Sequence, residues 1–283
     1  MTNVKPEIVR TVADLRARLA PVRRAGERIA LVPTMGALHR GHRSLVEIAA
    51  KAAAHVVVSI FVNPTQFAPH EDFAAYPRAE SADIEKLAGS AAGLVFAPDV
   101  AEMYPAGHAT TISVGGPAQG LETDFRPHFF AGVATVVGKL FLQCAPDAAV
   151  FGEKDYQQLL VIRRMVQDLA LPIEIIGAPV IREADGLALS SRNVYLSPEE
   201  RRIAPVLHRS LQKAAAALRG GTPVAEAEAE GAKAILAAGF AAVDYFVLRD
   251  AESLEPLARP DRPARALVAA RLGKTRLIDN IAV

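Results

Sequence analysis

"LVPTMGALHRGHRSLVEIA", residues 31–49, is the stretch on which the fold turns. An apolar run ends in Pro33-Thr34-Met35-Gly36, and a helix-like pattern begins at two histidines, His39 and His42. Strand, loop and helix in that order make the first half of a βαβ unit. The alternation continues outward. "HVVVSIFVNP", "GLVFAP", "AAVFG" and "PIEIIGAPV" read as further strands, and "SADIEKLAGSAA", "AGVATVVGKLFLQ" and "DYQQLLVIRRMVQDLA" as helices between them. Strands that are apolar throughout are covered by helices on both faces. The expectation is an α/β fold over residues 1–180, a doubly wound parallel sheet with right-handed crossovers.

The character changes near residue 180. "READGLALSSRNVYLSPEER" is polar and loop-rich, and two Ala-rich helical stretches follow. The last strand-like runs, "VDYFVLRD", "ARALVAARL" and "TRLIDNIAV", have no helix-length segments between them. A smaller α+β C-terminal domain is expected over residues 181–283.

Composition narrows the function. The chain has 283 residues, is 51% hydrophobic and carries a net charge of +1. That balance excludes disorder and argues against a nucleic-acid partner. The only cysteine, Cys144, sits in an apolar segment. It reads as a small buried hydrophobe in a reducing compartment. "MTNVKPEIVR" lacks the apolar core of a signal peptide, and "VVVSIFV" is too short to span a bilayer. A soluble cytoplasmic protein without a membrane partner is expected.

In open α/β sheets ligands bind beyond the carboxyl ends of the strands. The residues that follow the strand candidates are Met35, Gly36, His39 and His42, then Asn63 and Gln66, then Lys154, Asp155 and Gln158, then Ser190, Ser191 and Arg192. A helix N-terminus attracts phosphate, and Gly36 and Gly41 let the backbone come close to a ligand. An imidazole there can donate a hydrogen bond to a phosphate oxygen. A histidine metal pair lacks a third ligand at suitable spacing, and two incidental histidines remain the plain alternative. Arg192, beside two hydroxyls, suits a phosphate; alone, such a tripeptide is more often than not only a solvated turn. Lys154 and Asp155 could equally cap a helix, and both glutamines could be surface amides.

His39-x-Gly41-His42 after a strand resembles the HxGH signature of the nucleotidyltransferase superfamily, and Ser190-Ser191-Arg192 resembles its second signature. Within that superfamily, "PTMGALHRGH", "VSIFVNPTQF", "YPR", "FGEKDYQQL" and "DGLALSSRNVYLSPEER" are similar to the pantothenate synthetase family, in order, from about residue 30 to past 200. The resemblance implies a Rossmann-like domain with a smaller C-terminal lid, usually in a homodimer. It implies a ligase that joins pantoate to β-alanine through a pantoyl adenylate, using ATP and Mg²⁺ and releasing AMP and pyrophosphate. Carried over by position, Met35, Gly36, Ala37, Leu38, His39, Arg40, Gly41 and His42 lie along ATP, with His42 in the position of a proton donor. Gly152, Glu153, Lys154 and Asp155 match a second ATP-binding stretch. Ile181 matches a nucleotide contact, and Leu189, Ser190, Ser191 and Arg192 the loop over the phosphates. His39, His42, Lys154 and Arg192 are the expected catalytic set. Gln66, Gln158, Asn63 and Tyr76 match the substrate pocket, and Asp83 an acidic residue near magnesium.

One segment departs from the family. "RPHFFAGV" carries Phe129 where the family usually has histidine, with His128 one place earlier. Arg126 and Gly132-Val133 stay in register. A rival within the superfamily would transfer adenylyl to a phosphate acceptor, for which the neutral Gln66 and Gln158 are ill suited. A nucleotide-sensing module without chemistry would bind ATP and release no pyrophosphate.

Overall fold

The computed structural model describes residues 4–67, 73 and 76–283. The chain divides into two compact units, Met1–Glu153 with Val161–Pro179, and Lys154–Leu160 with Val180–Val283. In the first, β1 (Glu7–Val9), β2 (Ile29–Thr34), β3 (His55–Ile60), β4 (Ala92–Phe96), β5 (Ala148–Gly152) and β6 (Glu174–Ala178) form one sheet in the order β1-β4-β3-β2-β5-β6. Every pairing in it is parallel. The five strands read from the sequence are β2 to β6. The edge strand β1 and the helix after it carried too little apolar pattern to be read.

The helices of this unit are α1 (Val12–Arg24), α2 (Arg40–Ala52), α3 (Glu80–Leu87), α4 (Val100–Met103), α5 (Glu122–Phe125), α6 (Phe129–Cys144) and most of α7 (Tyr156–Asp168). Residues of α7 up to Leu160 group with the second unit. β2 and β3 are buried along most of their length because helices cover both faces. Leu45, Val46 and Ala49 of α2 and Ile84 and Leu87 of α3 pack on Val32, Val58, Val95 and Val150 of the strands. α6 is apolar nearly all round and buried accordingly. Cys144 is buried at its end, and burial pushes the thiol up to about 12, so it stays protonated.

The order of strands sets the position of the site. From β2 the chain steps outward through β3 to β4, which lies beside the earlier edge strand β1, and then crosses to the other side of β2 for β5 and β6. The reversal falls between β2 and β5. These two pair only at Ala30–Leu31 with Ala148–Ala149, so the ladder stops short of their carboxyl ends. Such a switch point is where a doubly wound sheet offers a crevice.

In the second unit β7 (Ala242–Asp250), β8 (Ala264–Leu272) and β9 (Thr275–Ala282) form an antiparallel sheet. Its helices are α8 (Pro198–Ile203), α9 (Val206–Arg219) and α10 (Val224–Ala237). Leu207, Leu211 and Leu218 of α9 and Ile235 of α10 share a core with Leu248, Val268 and Leu277. α8 starts where Ser197 and Glu200 cap one another across its first turn. Among the described residues no helix is long and apolar enough to cross a membrane.

Candidate active site

The loop from Thr34 to His42 leaves β2 at the switch point. Gly36 and Ala37 both take positive φ, 80° and 50°. For alanine that is the disfavoured left-handed region, so something must hold it there. Asp83, from the first turn of α3 and 1% exposed, does so. Its Oδ2 accepts the Ala37 N–H at 2.8 Å and its Oδ1 the Leu38 N–H at 2.7 Å. A Cβ on Gly36 would stand 3.0 Å from Asp83 Oδ2, so glycine suits both the torsion and the approach. Thr34 Oγ1 donates to Ser59 O and accepts from Gly36 N, which fixes the start of the turn. Asp83 was expected beside a metal. The structure gives both its oxygens to the loop backbone, with Lys86 Nζ 3.5 Å from one of them. Among the described residues no group of three or more His, Cys, Asp or Glu is placed to hold a metal ion.

His39 is the N-cap of α2, and its Nδ1 accepts from Gly41 N at 3.1 Å. His42 Nδ1 accepts from His39 N at 3.2 Å. With each Nδ1 an acceptor, the proton of each neutral ring sits on Nε2, which is therefore a donor. The rings lie 4.1 Å apart between centroids. The two histidines thus cap the helix, and the backbone N–H groups of Gly41 and His39 set their tautomers. Of their neighbours, Leu38 is a core residue and offers a ligand only its backbone, whereas Arg40 is exposed.

The loop after β3 meets this one. Gln66 Nε2 lies 2.9 Å from Met35 Sδ. Asn63, 1% exposed, donates to Gln66 Oε1 and Gly132 O, and accepts from Thr65 and from the Tyr104 hydroxyl. Burial raises the Tyr104 pKa and keeps that hydroxyl a donor. Asn63 is therefore an internal node under the expected pocket. Tyr76 is also buried, its ring against Phe67. Gly152 and Glu153 follow β5 on the other side of the switch point.

In the second unit Lys154 Nζ lies 3.7 Å from Asp155 Oδ1. Gln158 is half-buried in the first turn of α7. Leu189 N donates to Ile181 O at 2.9 Å and closes a hairpin. From it emerges the short helix Ser191–Tyr195, capped by Ser190 Oγ on Arg192 N. Ile181, Leu189, Ser190, Ser191 and Arg192 are thus one continuous structure.

Comparison with known proteins bears directly on this geometry. The family model described as pantoate-beta-alanine ligase matches residues 7–282. The chain belongs to that family. Pantothenate synthetases of Rhodopseudomonas palustris and Mesorhizobium japonicum are each 59% identical to it, over 98–99% of both chains. The crystal structure of pantothenate synthetase from Thermus thermophilus superposes with a TM-score of 0.90 at 51% identity, covering 97% of this chain and 98% of that one. The pantoate-beta-alanine ligase of Francisella tularensis, solved with beta-gamma ATP and beta-alanine, is 33% identical with a TM-score of 0.83, covering 98% of this chain and 97% of that one.

Within this pantoate–β-alanine ligase, the Phe129 departure has a local explanation. The Arg126 guanidinium lies 3.8 Å from the Phe129 ring centroid, donates to Gln66 O at 3.1 Å, and approaches buried Glu122. The Phe129 ring thus packs against the arginine that braces the Gln66 loop. His128 sits at the N-cap of α6 without capping it by a side-chain hydrogen bond.

Proposed function

We propose that this ligase condenses pantoate with β-alanine in two steps through pantoyl adenylate. The observation that carries the mechanism is the Thr34–His42 loop, which leaves β2 at the switch point and ends in two histidines whose Nε2 atoms are donors. In the first step a carboxylate oxygen of pantoate attacks the α-phosphorus of ATP, and pyrophosphate leaves. In the second the β-alanine amine attacks the acyl carbon, the C–O bond to AMP breaks, and the ammonium proton passes to solvent or to AMP.

The residues divide the work by charge. Phosphoryl transfer asks mainly for positioning and for neutralising charge on the phosphate oxygens. His39 and His42 donate from Nε2, the α2 N-terminus adds its partial positive charge, and Lys154 and Arg192 bring full charges. Mg²⁺ enters on the ATP phosphates as part of the substrate. Asp83 serves by holding Ala37 and Leu38, which sets where the histidines begin. Gln66 and Gln158, both neutral, hydrogen-bond pantoate. The same reading places the enzyme in the cytoplasm as a homodimer, which sedimentation at micromolar concentration checks.

The deciding test is pantoate-dependent exchange of labelled pyrophosphate into ATP, with Mg²⁺ and without β-alanine. Exchange is expected, and it demonstrates a reversible acyl-adenylate step. ATP binding without exchange would remove that step and shift weight to another acceptor.

A further inference from the structure

Two ATP-binding stretches of the second unit, Lys154–Asp155 and Ile181–Arg192, are tied to the same two residues of the last strand. Asn280, 2% exposed on β9, donates from Nδ2 to the Lys154 carbonyl at 2.9 Å. Its Oδ1 accepts from Arg265 Nε at 2.7 Å, so the amide cannot turn without losing one bond or the other. The Arg265 guanidinium in turn lies 4.1 Å from the ring centroid of Tyr156, whose hydroxyl donates to Ala251 O. The turn leading into α7 is thereby moored to the small sheet at the Lys154 carbonyl, and the first residue of α7 at the Tyr156 ring.

Asp279, next in the strand and 3% exposed, receives both arms of the Arg182 guanidinium, at 2.7 and 2.9 Å. Arg182 also donates to Gly186 O and to Asn280 O. It stands directly after Ile181, and its bridge to Ala188 closes the hairpin that delivers Leu189 to Arg192. Asp279 Oδ1 takes the Asn280 N–H as well, which joins the two halves. A buried polar network with its members satisfied is rigid, and a cation pair for a triphosphate needs rigid spacing.

We propose that Asn280 and Asp279 are positioning residues for ATP, fixing the Lys154 turn relative to the Ser190–Arg192 loop. The proposal rests on the assignment of both stretches to ATP. The experiment measures Mg–ATP affinity by calorimetry, together with pyrophosphate exchange and melting temperature. The proteins are wild type, Asn280→Ala, the near-isosteric Asn280→Asp, and Ile281→Ala as a packing control in the same strand. Both Asn280 variants lack the donor to Lys154 and are expected to weaken Mg–ATP about fivefold or more, roughly the worth of one hydrogen bond. Ile281→Ala is expected to melt earlier yet bind within about twofold of wild type. Mere loss of folded protein lowers the number of sites and leaves their affinity alone. Unchanged affinity in either folded Asn280 variant, or an equal loss in Ile281→Ala, overturns the proposal. Wild type that binds ATP without exchange overturns the adenylate step while the affinity comparison still stands. Wild type that binds no ATP overturns both.

Discussion

Lys154 and Asp83 are both charged residues in or beside the stretches proposed to bind ATP, and removing them should have different consequences. Lys154 is only partly buried, and its Nζ is 3.7 Å from Asp155, so Lys154→Ala leaves no buried group stranded. Pyrophosphate exchange should fall by about two orders of magnitude or more, with an unchanged melt, if Lys154 is the phosphate cation proposed above. Asp83→Ala strands the N–H groups of Ala37 and Leu38 in a buried turn. It should destabilise the fold by about 1–3 kcal/mol in denaturant titration and lower exchange as well. A stable but inactive Asp83→Ala protein would mean the carboxylate serves ligand more than loop. Asp83 also shows the limit of reading one residue from sequence. Its acidic character was evident there, while its partners lie on another element.

At the scale of elements, the close approach of α6 to the loop after β3 sets the position of the loop proposed to bind pantoate. A Cβ on Gly132 would stand 2.5 Å from Thr65 O, and Asn63 donates to the Gly132 carbonyl. Gly132→Ala must therefore push α6 and the Asn63–Gln66 loop apart. The expected loss is about 1–3 kcal/mol of stability with a raised KM for pantoate, since Gln66 moves with the loop. Steady-state kinetics on the folded variant checks this, and an unchanged KM would separate Gln66 from pantoate binding. The strands and helices themselves were legible because β2 to β6 are short apolar runs separated by helix-length segments. β1 escaped because an edge strand of three residues, paired on one side only, needs no apolar run.

For the molecule as a whole, stability should depend on pH through His208. Its buried Nδ1 has no hydrogen-bond partner among the described residues and lies 3.8 Å from Asp279 Oδ2, a carboxylate already held by Arg182. Burial first, and then the positive charge of Arg182, push the His208 pKa below its ordinary value of 6.5. The unfolded chain then takes up the proton before the folded one does. The contribution is complete above that ordinary value and is lost as pH falls below it toward the depressed pKa of the fold. The denaturation midpoint should drop between about pH 7.5 and about pH 5.5, and drop less in His208→Gln. Equal drops would place the acid sensitivity elsewhere.

What the sequence determined by itself was local. Hydrophobic runs and their spacing specified a parallel sheet followed by a smaller α+β unit, and strand-ending loops pointed to His39, His42, Lys154 and Arg192. The tertiary structure alone decided which residues hold those loops in shape. It turned Asn63 into an internal node, gave Leu38 to the core, and set Asp83 under the glycine turn. It also joined Asn280 to Lys154 across 126 positions of chain. The Asp279-Asn280 pair in "TRLIDNIAV" stands in the sequence, but its burial and its partners do not. Periodicity records which face of an element is buried. A hydrogen bond between distant segments leaves no period behind, so it exists only once the chain has folded.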